Sequence, residues 1–151
     1  MSNIILEANP DPRKGDKWVV IINNERYNAE YMTTSQQLQE GMMLRKSLDG
    51  CMVFRLGSGN HTFWMKDCLI PLDIVFVANN KINKIYPNCP PDRKIIPTKY
   101  PGYGDHVIEF PAGTSSKFKV GDVVGMWKDT EAKDPTFGDR MRYMWNGTPT
   151  P

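Results

Sequence analysis

The chain has 151 residues, 40% hydrophobic and 24% charged, with 19 basic and 17 acidic side chains and a formal net charge of +2. That size predicts one domain with room for tails, and that balance is ordinary for a globular protein, so neither a disordered chain nor a nucleic-acid partner is implied. No apolar run approaches the ~20 residues of a membrane span, and the first residues lack the basic-then-apolar order of a signal peptide, so we expect cytoplasmic synthesis and no membrane partner.

Residues 1–17, with Pro10, Pro12 and Gly15, read as a flexible lead. Trp18–Ile22 reads as a strand, Asn23-Asn24 as a tight hairpin turn, and Arg26–Tyr31 as the returning strand. Thr34 is placed as the N-cap of a short helix, with Gln37 at the capping-box position and Gly41 ending it. Cys51–Leu56 is expected to be a strand, and Gly57-Ser58-Gly59-Asn60 a turn into the next one.

The most apolar and aromatic stretch follows, from His61 to Val77. Alternation along Leu72–Val77 puts Leu72, Ile74 and Phe76 on one face and Asp73, Val75 and Val77 on the other. Both faces are apolar, which predicts a strand covered on both sides. Asp73 is then a buried carboxylate that needs either a cationic partner or several N–H donors. A corner at Cys68–Pro71 would bring Lys66 to it.

Asn79-Asn80 repeats the hairpin chemistry, with Lys81–Tyr86 returning. Pro87–Tyr103 holds five prolines and reads as a long loop of the kind that carries function or contacts a partner. Val107–Phe110 and Val123–Trp127 are the last strands, with turns at Pro111–Gly113 and Val120–Asp122. Beyond Trp127 the chain mixes charge with Phe137, Met141, Tyr143 and Trp145, which marks residues 128–151 as a C-terminal extension that either packs back on its own domain or docks on a partner. The prediction is a mainly β, compact antiparallel or barrel-like single domain over residues 18–127, with one or two short helices.

Cys51, Cys68 and Cys89 are odd in number and lack a Cys-x-x-Cys pair, so buried free thiols are expected in place of disulfides. His61 and His106 stand at no metal-ligand spacing, and no nucleophile elbow, phosphate loop or dinucleotide fingerprint occurs. No metal, cofactor or catalytic residue is therefore assigned.

Gly41-Met42-Met43-Leu44-Arg45, Met52-Val53-Phe54, Phe63-Trp64-Met65-Lys66-Asp67-Cys68-Leu69-Ile70-Pro71-Leu72-Asp73, Glu109–Gly113 and Val120-Gly121-Asp122 together resemble the domain-of-unknown-function 192 family, from about Tyr27 to Val124. The resemblance implies a compact, mainly β fold and no established reaction. Only Cys89 stands where many members of that family carry two cysteines, and the segment after Trp127 lies outside its pattern.

Two functional readings come from the residues. One is a non-catalytic interaction module, self-associating or bound to a protein partner as a structural subunit of a larger assembly such as a virion. The other is a small-ligand pocket or hydrolase-type site built on Arg45, Trp64, Lys66 and Asp73, which would hold a small anionic or sugar-like ligand. The same four residues read structurally as an ion-pair network beside a core tryptophan. The missing catalytic motifs favour the first reading.

Overall fold

The computed structural model describes residues 11–129. Strands β1 (Asp16–Ile22) and β2 (Glu25–Met32) are followed by helix α1 (Ser35–Glu40). Then come β3 (Cys51–Phe63), β4 (Leu72–Ala78), β5 (Lys81–Cys89), β6 (Tyr100–Pro111), a single 3-10 turn at Thr114–Lys117, and β7 (Val124–Lys128). The seven strands form one sheet in the order β5-β4-β6-β3-β2-β1-β7. The fold is mainly β with one short α-helix, as expected. No helix among the described residues is long and apolar enough to cross a membrane.

The antiparallel expectation holds for every pairing but one. β2 and β3 run parallel, because the α1 segment between them returns the chain to the same end of the sheet before β3 starts. The result is a mixed sheet that curls without closing. Its edges meet at one end only, where Ile82 donates to Asp122 O (2.9 Å), Gly121 to Ile82 O (2.8 Å) and Val124 to Asn80 O (2.8 Å).

Local signals are obeyed closely. Asn23 and Asn24 (φ 51° and 66°) and Asn79 and Asn80 (φ 51° and 62°) are left-handed pairs closing two-residue hairpins. The Thr34 hydroxyl accepts from Gln37 N (3.2 Å) and the Gln37 side chain accepts from Thr34 N (3.1 Å), which is the predicted capping box. Gly41 ends the helix at φ 44°, and a Cβ there would lie 2.9 Å from the Phe54 ring.

The expected turn at Gly57–Asn60 does not form. β3 runs through it as one 13-residue strand with a bulge between Arg55 and Gly59, and β6 pairs with both halves. That requires β6 to begin at Tyr100, inside the stretch read as loop, and β5 to run on to Cys89; the irregular segment shrinks to residues 90–99. Proline is tolerated in these strands for stated reasons: β5 is an edge strand, and Pro101 lies where β6 pairs with β3 alone. The glycines mark close approach. A Cβ at Gly102 would sit 2.7 Å from the Phe76 ring, and one at Gly104 2.5 Å from Val77 O.

Apolar side chains separate into two layers. Val20, Val53, Val75, Val77, Ile108 and Phe110 fill the inside of the curled sheet, while Met52, Phe54, Met65, Leu72, Ile74 and Phe76 pack on its outer face. β4 therefore contributes to both layers with the alternation read from its sequence. The outer layer exists because partly buried Leu38 of α1, together with Met42, Met65 and Cys68 from the connecting loops, lies across that face. The candidate site is built at this junction.

Candidate functional site

The four residues singled out from the sequence do not form one network. Asp73 is fully buried, and its carboxylate accepts from three backbone N–H groups: Asn88 (2.8 Å), Gly113 (3.1 Å) and Ser115 (2.7 Å). Asn88 and Gly113 adopt left-handed φ of 52° and 99°, which turns their amides toward it. The multiple-donor solution has replaced the cationic one. The expected Lys66–Asp73 pair is absent; the Lys66 ammonium lies 5.5 Å over the Trp64 ring, exposed to solvent. Arg45 pairs with Glu30 of β2 and donates to Arg13 O (3.2 Å), and Gly15 N donates to the same Glu30 carboxylate (3.4 Å). Arg45 therefore fastens residues 13–15 to the sheet. Trp64 is 43% exposed, not part of the core as its neighbours are. Phe137, Met141, Tyr143 and Trp145 lie outside the described residues.

Trp64 and Lys66 do share a cleft, with different companions. It has a volume of about 100 Å³ and opens between the end of α1, the loop after it and the end of β3. Glu40, Phe54, Phe63 and Glu109 line it beside Trp64 and Lys66. Glu109 lies opposite Met52 of β3 and Ile74 of β4, so strand alternation turns it toward the outer apolar layer. It is 3% exposed, and burial pushes its carboxyl up to about 8. At neutral pH Glu109 is therefore a neutral acid, able to donate one hydrogen bond and accept others. Glu40 reaches the cleft as the last residue of α1. Oε1 of Glu109 and Oε2 of Glu40 are buried without a hydrogen-bond partner among the described residues. Two such oxygens lining one small cleft need explaining, since buried polar atoms are nearly always paired.

Reasoning from sequence passed over both acids. Glu109 was readable: in Val107–Phe110 it is the lone charge of a strand whose other members are buried. Glu40 carried no signal, because helix-terminal glutamates are commonplace.

Other reactive groups are occupied. All three thiols are free and buried; burial pushes Cys68 up to about 12 and Cys89 up to about 11, far from the thiolate needed for nucleophilic chemistry. His61 Nε2 bonds Gly57 O (2.6 Å). His106 sits between Asp105 Oδ1 (2.7 Å) and the Tyr31 hydroxyl (3.0 Å), and Tyr31 stacks on Trp18 at 3.8 Å. That chain ties β2 to β6. No group of three His, Cys, Asp or Glu side chains suited to a metal occurs among the described residues.

Comparison with known proteins gives a family and no reaction. A crystal structure of a protein of unknown function from Novosphingobium aromaticivorans is 28% identical, with a TM-score of 0.64, covering 83% of this chain and 99% of that one. A Sinorhizobium meliloti structure, provisionally named a transcription regulator, is 24% identical over 74% of this chain and 92% of its own, also at 0.64; at that identity it shows the fold alone. No curated protein matches. The model of a family described as "Uncharacterized ACR" covers residues 19–126, which includes both cleft acids and the whole Phe63–Asp73 motif, and the chain belongs to that domain-of-unknown-function 192 family.

Proposed function

We propose that the protein is a non-catalytic binding module whose cleft takes a small, neutral, hydroxyl-bearing group such as one edge of a sugar. The observation that carries this is the unpartnered Oε1 of buried Glu109 in the cleft, matched by Oε2 of Glu40. The Glu40 oxygen takes a hydrogen-bond donor, whereas the neutral Glu109 carboxyl takes a donor or an acceptor. An anion supplies no donor for Glu40, and the Arg45 that would have clamped one is bound to Glu30. A cation meets the Lys66 ammonium at Trp64 and a Glu109 that is uncharged at neutral pH. A hydroxyl suits both acids, because it donates to a carboxylate and exchanges donor and acceptor roles with a neutral carboxylic acid. The exposed Trp64 ring offers an apolar face beside them. A cleft of about 100 Å³ admits a few heavy atoms, so it reads part of a ligand and does not engulf a cofactor. Cys68, the thiol in the cleft, is held protonated, and neither histidine lines it.

The test is amide-resonance perturbation of the full chain by glucose, by glycerol, by acetate and by methylammonium. The neutral polyols should move resonances of Gly41, Met42 and Trp64. Glu109→Gln keeps a donor and an acceptor and should retain the response, whereas Glu109→Leu should abolish it. A cleft that answers to acetate alone, or to none of the four, would sink the proposal.

A further inference from the structure

The two most exposed large hydrophobic side chains among the described residues are adjacent in the chain. Ile95 is 100% exposed and Ile96 79%, at the tip of the segment between β5 and β6. Leu44 and Leu69 are exposed on the two loops next to it. These loops are laced together by their backbones. Leu44 N donates to Asp67 O (2.8 Å), Asp92 N donates to Met65 O (3.2 Å), and bridges join Met43 to Cys68 and Lys66 to Asp92. The tip itself is closed on one side chain: the buried Asp92 carboxylate accepts from Lys94 N (3.0 Å) and Thr98 N (2.8 Å). Two isoleucines are thus held out in water by a built turn, where the hydrophobic effect opposes leaving them.

Charge around the tip is predominantly basic, although the Lys94 ammonium lies 3.8 Å from the Asp92 carboxylate. Lys66, Arg93 and Lys94 share a shallow depression with Leu44 and Leu69, and Lys99 follows the turn. Of the two acids there, Asp92 is consumed within the turn, which leaves Asp67.

We infer that this tip docks the protein on an anionic lipid surface, with Ile95 and Ile96 entering the headgroup–acyl boundary and the basic side chains meeting lipid phosphates and carboxylates. A projecting aliphatic tip inside a basic collar supplies the two components of interfacial binding, buried apolar area and attraction to anionic lipid. The docking uses a loop tip, so it requires no spanning segment, and it departs from the expectation of no membrane partner. It does not depend on what the cleft binds.

The experiment is sedimentation of the full chain with phosphatidylcholine vesicles, alone or with about one-quarter phosphatidylserine. The protein should partition onto the mixed vesicles only, and less so as salt rises. Ile95→Ser combined with Ile96→Ser should lower the partition coefficient by at least about tenfold, because it removes most of the apolar area available for insertion. Ile95→Trp should show a blue-shifted emission, relative to wild type, on adding mixed vesicles. Both positions are exposed, so folding is not at stake. The inference is overturned if wild type stays in the supernatant with mixed vesicles at low salt, or if the double serine variant binds as well as wild type. It is overturned equally if the isoleucines govern association between copies in light scattering while leaving vesicle binding untouched.

Discussion

Glu109 makes folding stability depend on pH in a direction opposite to that of a paired carboxylate. Its ordinary value is 4.5 and burial lifts it to about 8. Below about pH 4.5 the side chain is neutral in both states and has no effect. Above that, the unfolded chain releases the proton while the native state keeps it, so the native state binds more protons and stability falls as pH rises. The loss continues until about pH 8, where native Glu109 ionises too, and is constant beyond. Each unit is worth ~1.36 kcal/mol, so pH 7, about 2.5 units above the ordinary value, corresponds to roughly 3 kcal/mol. Glu109→Gln has nearly the same shape and cannot ionise. It should unfold like wild type near pH 4.5 and be more stable by about 3 kcal/mol at pH 7, equivalent to roughly 10 °C in Tm. Denaturant unfolding of both proteins from pH 4.5 to 8 isolates this one group by subtraction. A difference curve that is flat, or that favours wild type as pH rises, would refute a buried, unpaired Glu109. Such a cost to the fold at neutral pH is what the proposed binding role of Glu109 would entail.

Asp73→Asn should destabilise by about 2–4 kcal/mol in denaturant unfolding, because its amide turns a donor toward N–H groups that lose their charged acceptor, and it should leave polyol binding by the folded protein intact. Arg45→Ala should lose about 1–2 kcal/mol and raise hydrogen exchange at Gly15, whose amide depends on the same Glu30 carboxylate. Gly102→Ala pushes a methyl into the Phe76 ring and should lose about 1–3 kcal/mol, read as a lowered Tm. Native protein should react slowly with a thiol-specific disulfide reagent and expose all three cysteines only on unfolding, since every thiol is buried and burial holds Cys68 and Cys89 protonated.

What was legible in the sequence is what is encoded locally. The two Asn-Asn hairpins, the Thr34–Gln37 capping box, the Gly41 stop and the two-faced burial of Leu72–Val77 each depend on residues within one turn or one alternation. What was not legible depends on partners far away in the chain. Asp73 finds its donors 15, 40 and 42 residues on, so its burial was predictable and its partner was not. Gly57–Asn60 reads as a turn and Pro87–Tyr103 as a loop; Gly59 and Asn60 become strand by pairing with Gly104 and Tyr103 across the sheet. Arg45, Lys66 and Asp73 find separate partners in the fold, while Glu40 and Glu109, 69 residues apart in the chain, line one cleft with Lys66 and Trp64.

This rearrangement explains why a long and specific motif names a family without naming a reaction. Within Phe63–Asp73, Met65, Cys68, Leu72 and Asp73 are buried and fix the corner: Met65 O receives Cys68 N and Asp92 N, and Asp73 gathers Asn88, Gly113 and Ser115. Those residues are constrained by folding, whatever the protein binds. The exposed remainder is another matter. Trp64 and Lys66 face the cleft, and Lys66 with Leu69 also borders the depression beneath the Ile95–Ile96 tip. A single corner therefore borders both proposed surfaces, and Lys66 lines both depressions. Lys66→Ala should accordingly weaken vesicle binding through loss of one basic side chain, and should admit methylammonium to the cleft that wild type refuses. If instead it leaves both responses unchanged, the cleft and the tip owe nothing to this lysine, and the discrimination against cations must come from Glu109 being neutral.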